Sequence, residues 1–208
     1  MTTALIDYGS GNLRSAARAL EASGARGLSV TADPDVVARA DRIVLPGVGA
    51  FADCARGLRA VDGLIEALEQ RVRREGAPFL GICVGMQLLA DRGVEFETAT
   101  GLGWIPGETN RLQPGDPVLK VPHMGWNEAE PGGHPAFAAA WKGAAQDVYF
   151  VHSFAFRATD PAHVAAWTTY GADRFAASVA RDNILGVQFH PEKSQGAGLA
   201  LLASWLRL

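Results

Sequence analysis

An apolar run that ends in a cysteine between two glycines and then passes straight into a helix-like stretch leaves few architectures open. In Phe79-Leu80-Gly81-Ile82-Cys83-Val84-Gly85 the run reads as a central strand. The G-x-C-x-G sequence reads as a nucleophile elbow, with Cys where esterases carry Ser. So tight a turn has no room for a Cβ at either flanking glycine, because it would strike the neighbouring strand or helix. The first ninety residues suit such an elbow, since short apolar runs alternate with longer amphipathic ones as in a parallel sheet with crossover helices.

Ala4-Leu5-Ile6, Leu28-Ser29-Val30 and Arg42-Ile43-Val44-Leu45 are the expected earlier strands, with a helix at 12–22 after the first. Leu58, Val61, Ile65, Leu68 and Val72 keep helical spacing and predict one helix over 58–72. Gly76-Ala77-Pro78 stops it, and another helix is expected at 85–90. Beyond Gly101 short strands separated by Gly and Pro are expected at 103–105, 118–121, 148–156, 164–168, 175–180 and 184–189, before a closing helix at 194–206. They suggest antiparallel or mixed pairing on one flank. No repeat, low-complexity tract or long linker interrupts the chain. Residues 1–208 therefore read as one α/β domain, a mixed and mostly parallel sheet flanked by helices with a smaller antiparallel region.

Composition narrows the function. The 19 Lys and Arg against 22 Asp and Glu give a net charge of −3, no field to draw the chain onto nucleic acid or an anionic membrane. The longest nearly apolar stretch, 78–90, is shorter than the roughly 20 residues needed to span a bilayer. The start shows no basic, apolar leader, so a cytoplasmic protein is expected. Two cysteines, Cys54 and Cys83, make neither a disulfide framework nor a zinc knuckle. Histidines and carboxylates show no metal-ligand spacing, and neither metal nor cofactor is expected.

Cys83 is either a nucleophile or a small packing residue; its flanking glycines and its place at a helix N-terminus favour chemistry. Cys54 lacks both and reads as packing. A nucleophilic thiol needs a base with its own orienting group. In Val187-Gln188-Phe189-His190-Pro191-Glu192 the alternation puts Gln188 and His190 on one strand face. A backbone extended through Pro191 would bring Glu192 to the same side as His190. His134 and His163 stand in polar turns and are expected to be exposed. His123 and His152 lie in apolar strands, where a satisfied core or interface histidine is the default.

The order Cys83, His190, Glu192 differs from α/β-hydrolases, whose acid precedes the histidine. With the elbow Gly81-Ile82-Cys83-Val84-Gly85-Met86-Gln87 and the segment Gln188-Phe189-His190-Pro191-Glu192, the whole chain resembles the class I glutamine amidotransferases. Five further motifs resemble the branch of that family serving histidine biosynthesis: Ile6-Asp7-Tyr8-Gly9-Ser10-Gly11-Asn12, Leu45-Pro46-Gly47-Val48-Gly49-Ala50-Phe51, Pro122-His123-Met124-Gly125-Trp126-Asn127, Tyr149-Phe150-Val151-His152-Ser153 and His190-Pro191-Glu192-Lys193-Ser194.

The resemblance implies a glutaminase that works through a thioester on Cys83, with His190 as proton shuttle and Glu192 as its orienting group. It implies an oxyanion hole from Val48, Gly49 and Val84 after a peptide rotation near Val48 and Gly49. Glutamine would be held by Gly49, Gln87, Glu95, Ser153 and Phe154, with Glu97 as the alternative to Glu95. It also implies a heterodimer with a (β/α)8-barrel cyclase subunit, which takes up the ammonia and forms imidazole glycerol phosphate and AICAR ribotide. Asn12, Met124, Trp126, Asn127, Tyr149 and Lys193 match the docking face. A chain used up by sheet, elbow and triad leaves no second site for the acceptor, which also points to a second polypeptide.

Overall fold

Residues 1–208 are all described in the computed structural model. The strands are β1 (Thr3–Ile6), β2 (Leu28–Thr31), β3 (Arg42–Gly47), β4 (Phe79–Cys83), β5 (Arg92–Val94), β6 (Thr98–Thr100), β7 (Gly107–Arg111), β8 (His123–Pro131), β9 (Gln146–His152), β10 (Phe154–Ala158), β11 (Val164–Tyr170), β12 (Asp173–Arg181) and β13 (Ile184–Val187). The helices are α1 (Leu13–Ala22), α2 (Pro34–Arg39), α3 (Phe51–Arg59), α4 (Leu64–Leu68), α5 (Val84–Gln87), α6 (Pro135–Trp141) and α7 (Gln195–Trp205).

Nine strands form one mixed sheet in the order β2-β1-β3-β4-β13-β12-β11-β8-β9, and β10-β7-β5-β6 form a smaller one. Pairing is parallel from β2 to β13 and antiparallel from β13 to β9. In the small sheet the outer pairs are antiparallel and β5 runs parallel to β7. The chemistry explains the division. β1, β3, β4 and β13 are buried along their whole length, as a strand covered by helices on both faces must be. β8 alternates exposed positions with buried or half-buried ones, and β9 alternates half-buried with buried ones, so this end of the sheet has one face toward solvent. A single core of buried side chains runs from Ala4 to Trp205 and includes Phe156 of the small sheet. No helix is long and apolar enough to cross a membrane.

Several expectations are corrected. The helix expected over 58–72 is three pieces: α3 ends at Arg59, α4 follows, and Glu69–Arg74 is a π-helical segment. Gly63 breaks it at φ +76°, a left-handed conformation that a helix interior does not hold. The helix expected at 85–90 is the single turn α5, because Leu89 and Ala90 bond back only three residues, to Met86 and Gln87. Residues 103–105 form no strand, since the N–H groups of Trp104 and Ile105 donate to the carbonyl of Leu89. At 118–121 Asp116 accepts from Val118 N–H at 2.8 Å and makes a turn instead. The run 148–156 is cut at Ser153, with β9 on the large sheet and β10 on the small one. Elements not anticipated are α2, α6, the β5–β7 strands and β8, which begins at His123 just past the expected 118–121; they are too short or too polar for a periodic signal.

Candidate active site

The carboxyl ends of three adjacent parallel strands define the site, the usual crevice of an open α/β sheet. Gly47 at the end of β3 sits in register with Cys83 at the end of β4, and Val187 of β13 lies opposite Ile82. Each strand hands over one part: β3 the Gly47-Val48-Gly49 loop, β4 the thiol, β13 the segment leading to His190.

Cys83 has φ 55° and ψ −113°, a strained conformation for a side chain with a Cβ, costing on the order of 1–3 kcal/mol. Its neighbours make the bend possible. A Cβ on Gly81 would lie 2.6 Å from the carbonyl oxygen of Gly85, and one on Gly85 would overlap the carbonyl oxygen of Leu45. The need for two glycines thus has its physical counterpart in β3 and in the elbow itself. The following helix is only four residues long, so its dipole contributes little; its unpaired N–H groups remain the relevant feature.

His190 Nδ1 lies 2.7 Å from Glu192 Oε1, and the two side chains are 4% and 3% exposed. The contact does not arise from an extended chain: Pro191–Lys193 is a 3-10 turn that curls the carboxylate back onto the ring. Burial pushes the imidazole pKa down, but the nearness of Cys83 and the hydrogen bond to Glu192, with the charges of both, outweigh it and raise His190 to about 10. Nε2 of His190 has no hydrogen-bond partner. The Ser194 hydroxyl, which sequence reasoning passed over, donates to His190 O at 2.7 Å and accepts from Tyr149 N–H at 3.0 Å, tying the histidine segment to β9.

A cavity of about 300 Å³ opens over the thiol, and Cys83, His190, Val48, Gly49, Val84, Gln87, Glu95, Ser153, Phe154 and Lys193 all line it, with Pro122, Val151 and His152. Expected catalytic, oxyanion and glutamine-binding residues therefore meet in one place, except Glu192, which lies behind His190. Glu95 reaches the cavity from the turn after β5, and its Oε2 accepts from Phe51 N–H at 2.9 Å. Glu97 does not line the cavity; it pairs with Arg56 at 2.5 Å. Gln87 uses its amide nitrogen internally, donating to Phe154 O and to Gln188 Oε1, both at 2.9 Å.

The loop residue Val48 has both backbone polar groups engaged away from the cavity. Its N–H donates to Ser10 Oγ at 3.3 Å, and its carbonyl accepts from that hydroxyl at 2.6 Å and from the Cys54 thiol at 3.3 Å. Gly49 follows with φ +94°, which glycine adopts without the penalty a Cβ brings. Cys54 is fully buried and burial raises its pKa, in keeping with a packing role. Burial likewise raises the phenol of Tyr8, whose hydroxyl donates to Pro46 O at 2.9 Å.

Of the expected docking residues, Met124 is 63% and Trp126 49% exposed, so neither is core. Trp126 meets Tyr149 edge-on at 6.0 Å, and Lys193 Nζ lies 5.6 Å from the Tyr149 ring centre. Asn127 donates to Thr169 O at 2.9 Å, and Asn12 is the exposed N-cap of α1, accepting from Ser15 N–H. His134 and His163 are partly buried rather than exposed; His134 Nδ1 caps α6 by accepting from Ala136 N–H at 3.2 Å. Among the described residues no cluster of His, Cys, Asp and Glu could hold a metal ion.

The family model of class-I glutamine amidotransferase matches residues 4–206. The chain is 53% identical over 214 residues to the imidazole glycerol phosphate synthase subunit HisH of Rhodospirillum rubrum, covering 100% of this chain and 99% of that protein. With the HisH subunit of Zymomonas mobilis it shares 54% over 209 residues, 99% of this chain and 95% of the relative. Among solved structures, PurLQS from Thermotoga maritima superposes with a TM-score of 0.73 at 21% identity over 99% of this chain and 97% of that one. The glutaminase domain of Trypanosoma brucei CTPS gives 0.65 at 15%, covering 100% and 94%. These last two speak for the fold.

Proposed function

This chain belongs to the class I glutamine amidotransferases, as a HisH-type glutaminase subunit of imidazole glycerol phosphate synthase, and from that premise we propose that Cys83, His190 and Glu192 hydrolyse glutamine for a cyclase partner. The observation that carries the assignment is the meeting of an elbow thiol, an imidazole with a free Nε2 and a carboxylate 2.7 Å from its Nδ1 in one cavity. His190 takes the thiol proton through Nε2 while Glu192 holds the ring by Nδ1 and stabilises the imidazolium. The sulfur attacks the amide carbon of the glutamine side chain, the carbonyl oxygen becomes an oxyanion, and His190 returns the proton to the departing ammonia. Water then cleaves the γ-glutamyl thioester to glutamate, with His190 as base.

The oxyanion needs N–H donors fixed in advance. Val84 N–H, on the residue after the nucleophile, is one. The Gly47-Val48-Gly49 loop supplies the other only if the Val48 peptide turns away from Ser10. That requirement fits an enzyme that stays slow until its partner docks. Glu95 would receive the α-ammonium group of glutamine, with Gly49, Gln87, Ser153 and Phe154 around it, a reading supported by their lining one cavity. Asn12, Met124, Trp126, Asn127, Tyr149 and Lys193 are the proposed contacts with a (β/α)8-barrel cyclase, and the exposure of Met124 and Trp126 supports them. Free ammonia would be protonated or lost in water, so a docked acceptor is the chemically sound arrangement.

The test is glutamate release by the chain alone, with the cyclase, and with the cyclase plus its nucleotide ligand. Release is expected to be substantial only in the last two. Fast hydrolysis by the chain alone, or none in the full complex, overturns the reading. Cys83→Ala should abolish glutamine-dependent synthesis and leave synthesis from added ammonium salt intact.

A further inference from the structure

Two buried histidines lie outside the triad and join it to the exposed edge of the sheet. His123 on β8 and His152 on β9 are register partners across the antiparallel pair, with His123 Nδ1 3.3 Å from His152 Nε2. The hydrogen atoms can be placed by elimination. His152 Nδ1 lies 2.9 Å from Phe154 O, which can only accept, so Nδ1 carries the proton. Burial lowers His152 to about 3 and His123 to about 4, so both rings are neutral near pH 7. His152 Nε2 is then an acceptor, His123 Nδ1 must donate to it, and His123 Nε2 must accept. Its donor is Asn127 Nδ2 at 3.4 Å. The orientation of that amide is fixed in turn, since Asn127 Oδ1 accepts from Glu128 N–H at 2.9 Å. Tyr170 and Phe150 stack on the His123 ring with centroids 4.1 and 5.0 Å away, so it has no room to turn over.

The row does not stop at Phe154. The same carbonyl accepts a second bond from Gln87 Nε2, and the other hydrogen of that amide goes to Gln188 Oε1. Gln188, fully buried, points its own Nε2 at the Cys83 sulfur, 3.7 Å away. Each hydrogen bond in the row therefore has one direction, and the row runs from the nucleophile to β8, the strand that exposes Met124 and Trp126.

We propose that this row is one support that sets the Gln188 amide against the Cys83 sulfur, with Asn127, His123 and His152 as positioning residues for it, so that strand β8 is tied to the nucleophile. The proposal deepens the glutaminase reading and rests on it for the catalytic meaning of Cys83. A row bonded from end to end and mostly buried is stiff. A push on β8 would reach Gln188 through bonded atoms and not through loose packing.

The test follows alkylation of Cys83 by iodoacetamide on the full chain, read by mass spectrometry of the Cys83 peptide so that Cys54 does not interfere. Gln188→Met keeps the volume but removes the donor to sulfur, and about tenfold slower alkylation is expected. His123→Phe keeps the stacked ring but cuts the row, and about threefold slower alkylation is expected. The double variant should be no slower than Gln188→Met alone, because both act through one amide. Multiplying effects, or an unchanged rate in Gln188→Met, overturns the proposal. Should His123→Phe lose its thermal transition, Asn127→Ala, at the partly exposed end of the row, takes its place in the same comparison. Glutamate release by the wild-type complex is measured alongside. If that is absent the glutaminase reading fails, whereas the alkylation pattern still decides whether the row acts on Cys83.

Discussion

Glu192→Gln keeps an oxygen beside His190 Nδ1 and removes only the charge. In the native chain the pair is 2.7 Å apart and screened from water, and His190 is raised to about 10 against the downward pull of burial. Two unit charges about 4 Å apart at an effective dielectric of about 20 attract by about 4 kcal/mol, equal to about three pH units. Cys83 supplies part of the rise, so the variant is expected to titrate about two units below the native histidine. The folded value lies above the unfolded one, so protonated His190 stabilises the fold fully below about pH 6.5, and that contribution disappears as pH rises through about 10. At pH 8 it is worth about 3 kcal/mol in the native chain and little in the variant.

Urea unfolding of both proteins between pH 6 and pH 11 should therefore show a gap of about 2 kcal/mol at pH 8 that closes above about pH 10. A histidine-labelled chain followed by NMR gives the titration directly. A stability gap that is flat with pH, or one that widens toward pH 11, refutes the reasoning. So does a His190 midpoint in the variant within about half a unit of the native one.

Gly85→Ala would drive a Cβ into the Leu45 carbonyl and should cost about 3 kcal/mol or more in urea unfolding, whereas Gly133→Ala, with nothing within 4 Å of the added carbon, should stay within about 0.5 kcal/mol. Equal costs would mean the elbow is not tightly packed. In the cyclase complex, Glu95→Gln should raise KM for glutamine about tenfold with kcat little changed. Glu97→Gln, whose partner Arg56 is exposed, should alter neither by more than about twofold; the reverse pattern would exchange their roles.

How much of the fold and site is legible in the sequence depends on whether a feature is local. Cys83, its two glycines and the His190-Pro191-Glu192 segment can be read because a tight turn and a short reach from imidazole to carboxylate each fit within a few residues. Even there the expected route to the second contact is wrong, since a 3-10 turn and not an extended strand brings Glu192 round. Pairing between distant segments leaves weaker marks. Glu95 is preferred to Glu97 in the sequence by resemblance alone, and its physical reason comes only with the β5–β6 hairpin, which turns Glu95 to the cavity and Glu97 to Arg56. The helix over 58–72 fails because apolar spacing continues across Gly63, where the backbone does not.

What a sequence does not display is whether a polar group already has a partner. Gln87, Asn127 and the backbone of Val48 are drawn from motifs that read as binding or catalytic, yet in the fold each has hydrogen-bonding capacity committed internally: Gln87 to Phe154 and Gln188, Asn127 to Thr169 and Glu128, Val48 to Ser10 and Cys54. A committed group does not serve a substrate without exchanging one bond for another, and the exchange sets how costly activation is. The distinction gives the three regions different jobs. The amide nitrogens of Gln87 and Asn127 belong to a fixed row in which exchange would leave buried atoms unpaired, which leaves the Gln87 carbonyl oxygen to face glutamine. Val48 is exposed, followed by a glycine, and held by a hydroxyl and a thiol, so its bonds are the ones in this site that can be exchanged at least cost. A rigid nucleophile beside an exchangeable oxyanion loop is what an enzyme needs if its thiol is to be ready but idle until the acceptor arrives.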